Sequence, residues 1–263
     1  PHSHFIGSSN NGHMGMLKFA GYDHLIIKGK ASSPVYLEIG DKVRIRNASH
    51  LWGRDAWDTT DSIWSELGRQ YAVGAIGPAG ENLVRDASIV SNKYSLFAKT
   101  GMGAVMGSKN LKAFAAYGSR GIWVAEPKLF SRLIDEMRNQ IVTAPGFQRF
   151  RRLGTLAELD NMINGKSLST AYKNAQQTAD RQTLSEFSLE LLEQIADHGN
   201  ISCLACPVGC KHSFRLKAGP WTGLVLGVSC AGAPFSTFGG ITAVGNWSEA
   251  LKCQELANRL GMD

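Results

Sequence analysis

No apolar run in this chain approaches the ~20 residues needed to span a bilayer, and no membrane span is expected. There is no signal peptide and no initiating Met. The chain opens inside a polar, Gly-rich loop and closes on a helical pattern, so the expectation is a piece of a longer protein. No internal repeat or low-complexity segment is present. Charge of one sign is also scarce: the formal net charge is only +6, and the densest basic cluster, Arg149, Arg151 and Arg152, reads as a solvated helix face. Without interleaved aromatics or a known module, nucleic-acid binding is not expected. Cysteine is sparse and odd in number, at five, which argues against a disulfide framework. Free thiols without a signal imply a cytoplasmic protein. With 43% hydrophobic and 19% charged residues over 263 positions, the chain has the composition of a globular protein with room for one large or two ordinary cores.

The cysteines that are present are concentrated. Cys203, Cys206 and Cys210 form a C-x2-C-x3-C run. Thiolates gathered this tightly repel one another unless a cation lies among them. Pro207 and Gly209 let the backbone turn sharply and aim N–H groups at the sulfurs, an arrangement that suits a [4Fe–4S] cluster. Such a cluster takes four ligands, so a fourth comes from elsewhere. The competing reading is a Cys3His zinc knuckle completed by His212. Cys253 lies on an apolar helical stripe and reads as a core thiol.

Hydrophobic patterning divides the chain near residue 122. Residues 25–28, 35–39, 43–46, 72–77, 88–90 and 111–116 read as strands, with Gly40-Asp41 as a two-residue hairpin turn. A short helix is expected over 61–67. Beyond Pro127, Leu129, Leu133, Met137 and Ile141 recur every four residues, the pattern of an amphipathic helix packed on a core. Further helices are expected over 147–163, 184–197 and 247–261, the last capped by Ser248. The expected class is α+β: a β-rich domain over 1–122, then a mainly helical domain over 123–263 that carries the cysteine run.

Three glycine-bearing segments invite a polyanion: 8–15, 74–82 and 100–110, the last with Lys109. Glycines let backbone N–H groups converge on phosphate oxygens. The 100–110 segment fits neither Rossmann nor Walker A spacing, and tight turns in a β domain explain these glycines equally well.

Taken together, Leu17-Lys-Phe-Ala-Gly-Tyr-Asp23, Ile76-Gly-Pro-Ala-Gly-Glu-Asn-Leu-Val-Arg85, Gly103-Ala-Val-Met-Gly-Ser-Lys-Asn-Leu-Lys112 and the cysteine run resemble the aldehyde ferredoxin oxidoreductase family, in the family's order. The resemblance implies tungsten, less often molybdenum, held by two pterin dithiolenes (a tungstopterin), with Mg bridging the pterin phosphates. It also implies a [4Fe–4S] cluster passing electrons to ferredoxin or an electron-transfer subunit, in a protein that can be oligomeric. The family's first domain is a β base beneath the bis-pterin. Carried over by position, Asn10 matches a carbonyl ligand of Mg and Gly12 a glycine beside the pterin phosphate. Leu96 stands where an alanine carbonyl binds Mg, and Ser95 where an arginine contacts pterin. Lys99 keeps some of the positive charge.

One element departs from the family. Aldehyde-oxidising members carry Gly-Pro-Glu-Tyr-Glu after the cysteine run, whereas this chain has Gly219-Pro-Trp-Thr-Gly223. The lost carboxylates remove a candidate proton-transfer group. Cys230 and His13 are the remaining catalytic candidates, each with a plain structural alternative as a buried thiol or a structural donor. The resemblance implies two-electron oxidation of a small-molecule aldehyde to a carboxylate. The alternatives are low-potential reduction of an aromatic acyl-CoA, as in class II benzoyl-CoA reductases, and a zinc-stabilised binding module without catalysis.

Overall fold

The computed structural model describes residues 12–159, 161 and 171–262. It is an α+β protein that divides into two compact units, Pro1–Val124 with Ala257–Asp263, and Ala125–Leu256.

The first unit is built on β1 (Val35–Ile39), β2 (Val43–Asn47), β3 (Ala72–Ala75), β4 (Ile89–Ser91), β5 (Ser95–Phe97) and β6 (Leu111–Ala116). They form one six-stranded sheet in the order β2-β1-β6-β3-β4-β5. The β1–β6 pair is parallel and the others antiparallel. Alternating side chains point to opposite faces. Tyr36, Val73, Ala75, Ala113 and Ala115 pack in one apolar cluster, and Leu37, Ile39, Leu111 and Ala116 in another. Both faces are covered, so β3 is buried at every residue.

Helix α1 (Met16–Phe19) precedes the sheet. Helix α2 (Ala56–Leu67) begins at Ala56 rather than at the expected residue 61, because Asp55 caps it by accepting from Trp57 N and Asp58 N, each at 2.8 Å. The expected strand over 25–28 does not form: the segment is irregular and Ile26 is 79% exposed. The β1–β2 loop spans the three residues 40–42, closed by the Ile39–Val43 pair, instead of two.

The 100–110 segment is not a loop. It contains α4 (Met102–Ser108), which packs against α3 (Pro78–Glu81). Glycine is required here for close approach. A Cβ on Gly107 would stand 1.9 Å from the Gly80 carbonyl oxygen, and one on Gly80 would stand 2.9 Å from that of Gly103. Beneath this contact, the fully buried Lys112 donates to Glu81 Oε1 at 2.5 Å and to the Arg54 carbonyl at 2.7 Å. Glu81 also accepts from Gly53 N. Burial pulls the Lys112 pKa down, and Glu81 opposes that shift.

The second unit contains α5 (Pro127–Thr143), α6 (Phe147–Leu153), a 3-10 turn over Gly154–Glu158 and a small ladder of β7 (Ala171–Tyr172) with β8 (Gln177–Thr178). The apolar period of α5 is as expected, but none of its residues is buried, and Leu133 and Met137 are exposed. Its packing on a core is not found among the described residues. The expected helix over 184–197 is split into Arg181–Ser185 and Leu189–Ile195.

A three-stranded antiparallel sheet, absent from the sequence reading, follows: β9 (Ala196–Ile201), β10 (Lys211–Leu216) and β11 (Val225–Val228), in the order β11-β10-β9. Elsewhere in this unit, Phe187, Phe235 and Trp247 pack ring to ring. The helix Trp247–Leu260 is capped by Asn246, which accepts from Glu249 N at 3.0 Å, and not by Ser248. Its buried side carries Ala250, Leu251 and Asn258. The Cys253 stripe is instead its open side, with Leu256 44% exposed.

Two substitutions test these contacts by denaturant unfolding. Gly107→Ala forces two backbones apart and is expected to cost ~1–3 kcal/mol. Lys112→Met strands the Glu81 carboxylate in the interior and is expected to cost ~3–5 kcal/mol. A midpoint equal to wild type in either case would contradict the packing described.

Candidate functional site

The cysteine run occupies the β9–β10 connection, beyond the Lys211–Ile201 pair. Cys206 N donates to the Cys203 carbonyl at 3.1 Å, closing a tight turn. Ala205 and Gly209 take φ of 58° and 61°, left-handed values that curl the loop. Surrounding groups then clamp it. Asn200 Nδ2 donates to the Gly209 carbonyl at 2.6 Å and also to that of Arg151. Arg151 Nη1 donates to the Pro207 carbonyl at 3.0 Å. A Cβ on Gly154 would lie 2.3 Å from the Cys210 carbonyl oxygen, so the 3-10 turn lies directly against the loop. The arginine cluster is therefore not merely a solvated face: Arg149 and Arg151 both donate to backbone carbonyls.

All three thiols are free and half-buried. Burial, then the neighbouring Cys203 and Cys206, push the Cys210 thiol upward, as expected for sulfurs that resist ionising together. Lys211, next to Cys210, is fully buried; burial pulls its pKa down, and the neighbouring cysteines, Cys203 first, oppose that shift. Three thiols from one curled loop fit an iron–sulfur cluster, whose ligands each bind a different iron and need not meet at one point.

A single metal ion makes a different demand. Among the described residues, no three His, Cys, Asp or Glu side chains gather around one ion position. The fully buried His212 points Nδ1 at the Cys210 carbonyl, 3.1 Å away, and Nε2 at the Arg152 carbonyl, 2.8 Å away. Both nitrogens are engaged with backbone oxygens. His212 therefore clamps the loop and does not complete a Cys3His zinc site.

Cys230 lies just past β11. The last β10–β11 pair is His212–Val228, and two residues beyond it on each chain stand Cys210 and Cys230, at the same end of the sheet. Thr155 Oγ1 accepts from Gly232 N at 2.8 Å and lies 3.0 Å from Cys230 Sγ. Cys230 is half-buried, with a hydroxyl at its sulfur. Trp221 is 41% exposed, with Lys252 Nζ 5.2 Å from its ring centroid.

The remaining predicted residues belong to the first unit. Asn10 lies outside the described residues. Gly12 is half-buried, and the His13 ring meets the Tyr94 hydroxyl at 3.4 Å, which joins this segment to the β4–β5 turn. Ser95 is buried and pairs with Ser91, while Leu96 pairs with Val90. As β5 is an edge strand, alternate backbone groups face away from β4, and a carbonyl ligand at Leu96 is compatible with that position. Lys99 is exposed, at φ 69°. The hydroxyls of Ser88, Ser91 and Thr100 are buried without a partner among the described residues. Such unsatisfied donors suit a segment that lines a polar ligand. Alongside, an apolar cavity of about 400 Å³ is lined by Met14, Leu17, Phe97 and Phe114.

Sequence reasoning missed Lys211, Asn200, Arg151, Gly154 and Thr155. Only Lys211 carried a signal, by adjoining Cys210.

Residues 1–118 match the family model of the aldehyde ferredoxin oxidoreductase N-terminal domain, and residues 132–263 match that of domains 2 and 3. The chain is 40% identical over 224 residues to a tungsten-containing aldehyde ferredoxin oxidoreductase of Pyrococcus furiosus, covering 82% of this chain and 36% of that protein. It is 32% identical over 240 residues to the WOR-like subunit of an aliphatic sulfonate oxidoreductase of the same organism, covering 84% and 37%. Among solved structures, it resembles the active site complex BamBC of benzoyl coenzyme A reductase in complex with 1,5 dienoyl-CoA. That match has a TM-score of 0.79 and 28% identity, and covers 97% of this chain and 40% of the other. The chain thus spans little more than a third of the length of these curated relatives.

His212→Phe removes the ring nitrogens that face the Cys210 and Arg152 carbonyls and is expected to lower stability by ~1–3 kcal/mol, measured by urea denaturation. Loss of a bound zinc ion on this substitution would instead mark the ring as a ligand.

Proposed function

Because this chain belongs to the aldehyde ferredoxin oxidoreductase family, we propose that it is part of a tungsten oxidoreductase. The proposed reaction is two-electron oxidation of an aldehyde to a carboxylate, with electrons leaving through a [4Fe–4S] cluster to ferredoxin or a partner subunit. The observation that carries this reading is the β9–β10 connection. Three free thiols share a loop that four surrounding residues hold in shape, namely Asn200, Arg151, His212 and Gly154. Cys203, Cys206 and Cys210 would bind three irons of the cluster, with the fourth ligand supplied from beyond these residues.

Tungsten held by two pterin dithiolenes supplies the two-electron redox chemistry when bound. In this proposal, residues 1–122 form the pterin base and 123–263 carry the cluster. The carbonyls of Asn10 and Leu96 would hold Mg, and Gly12, Ser95 and Lys99 would adjoin the pterin. The orphaned hydroxyls of Ser88, Ser91 and Thr100 support a polar ligand there. Cys230 and His13 are the candidates to hold or move a proton. Thr155 fixes the Cys230 sulfur, and Tyr94 orients His13. Free thiols suit a reducing compartment, and cytoplasmic placement is part of the same reading.

A second reading, reduction of an aromatic acyl-CoA, is favoured by one observation. Gly219-Pro-Trp-Thr-Gly223 offers Trp221 where aldehyde-oxidising members carry carboxylates. The resemblance to the benzoyl coenzyme A reductase complex supports it further. A zinc-stabilised binding module is disfavoured by His212, whose nitrogens face carbonyls.

The test is elemental analysis of the full-length protein purified without oxygen. Tungsten with roughly four irons per chain is expected, and Cys206→Ser should lose iron. Zinc with neither iron nor tungsten would sink the redox reading. Turnover of aldehydes against aromatic CoA thioesters then separates the two reactions.

A further inference from the structure

Helix α5 (Pro127–Thr143) is amphipathic, yet none of its residues is buried. At about 100° per residue, Leu129, Phe130, Leu133, Ile134, Met137 and Ile141 fall within an arc of about 140°. All six are exposed, Phe130 by 49% and Met137 by 56%. The other side carries Lys128, Arg132, Asp135, Glu136 and Arg138, with Arg132 and Glu136 3.6 Å apart. Leu129, Leu133, Met137 and Ile141 make one ridge at four-residue spacing, and Phe130 with Ile134 makes a second beside it. The groove between two such ridges receives a ridge from another helix. Exposed apolar surface this continuous marks a contact rather than a solvated face.

The charges and the size of the face decide between occupants. A helix that lies on a membrane carries Lys and Arg along its polar side, whereas this polar side mixes Lys128, Arg132 and Arg138 with Asp135 and Glu136. A second copy is disfavoured by area. The 17 residues of α5 span about 25 Å, and a stripe about 10 Å wide offers about 250 Å² per copy, or about 500 Å² for a pair, where a stable interface buries about 1,200 Å² or more. A segment of the same polypeptide does not meet that limit, because the covalent link removes most of the cost of association. The family supplies such a segment. Residues 132–263 match the model of domains 2 and 3, and this chain forms one compact unit there, Ala125–Leu256. The chain covers only 36% of the Pyrococcus furiosus tungsten-containing aldehyde ferredoxin oxidoreductase.

We propose that the apolar face of α5 seats an amphipathic helix from the part of domains 2 and 3 that lies outside residues 1–263 of the same polypeptide. This rests on family membership and not on the reaction proposed above. Residues 144–146 join α5 to α6, whose Arg151 holds the cysteine loop, so the seated segment braces the helix pair beside the thiols.

The experiment is photo-cross-linking of the full-length protein, purified without oxygen, with Phe130 replaced by the photoreactive amino acid benzoylphenylalanine. The same replacement at Met137 repeats the test, and Asp135 on the polar side serves as the control. The expected product runs at the mass of one chain on a denaturing gel, and digestion maps the new bond to a peptide outside residues 1–263. A product at the mass of two chains, or of this chain with another subunit, overturns the proposal. So does a cross-link confined to residues 1–263, or a yield no higher than that of the Asp135 control. Hydroxyl-radical footprinting of the unsubstituted protein requires no replacement. Met137 is expected to oxidise about tenfold more slowly than in the urea-unfolded chain, and equal rates overturn the proposal.

Discussion

Sulfur atoms held close together on one short loop repel one another as they ionise, and the second unit is organised around that constraint. The run itself offers backbone N–H groups and left-handed turns at Ala205 and Gly209. Its surroundings add the rest. Asn200, Arg151 and His212 fasten the loop through its carbonyls. These contacts come from β9, from α6 and from β10. The loop keeps its shape only because the three-stranded sheet and the turn at Gly154 are built as they are.

The first unit solves a different problem by close backbone approach. Gly80 and Gly107 bring α3 and α4 nearer than a side chain permits, and Gly103 brings α4 against the backbone of Ala87 and Ser88. Glu81 at the end of α3 then reaches the buried Lys112 on β6. Gly80, Gly103 and Gly107 thus serve close packing, and the hydroxyls of Ser88, Ser91 and Thr100 stay buried without a partner among the described residues.

Much of this was legible in advance where one local rule dominated. Alternating apolar residues with turn signals marked β1, β2 and β6, and the four-residue apolar period marked α5. Legibility failed where a local signal competed with packing. Glycine has poor helix propensity, so α4 read as a loop, although the same glycines are what let it pack. Residues 25–28 have strand character but no partner strand. Strand β9, with Asp197, His198, Gly199 and Asn200, has almost no apolar pattern and forms because β10 pairs with it.

The amino-acid sequence by itself determined the sulfur chemistry. C-x2-C-x3-C spacing is a property of one short segment, and thiolate repulsion acts within it whatever the fold. The family resemblance likewise rested on contiguous motifs. Only the tertiary structure decided the roles of residues that act across the chain. His212 is a clamp rather than a ligand because Arg152, sixty residues earlier, presents a carbonyl to it. Cys230 reaches the cysteine end of the sheet through the β10–β11 register. Burial and long-range pairing depend on which segments meet in space, and no local spacing specifies that.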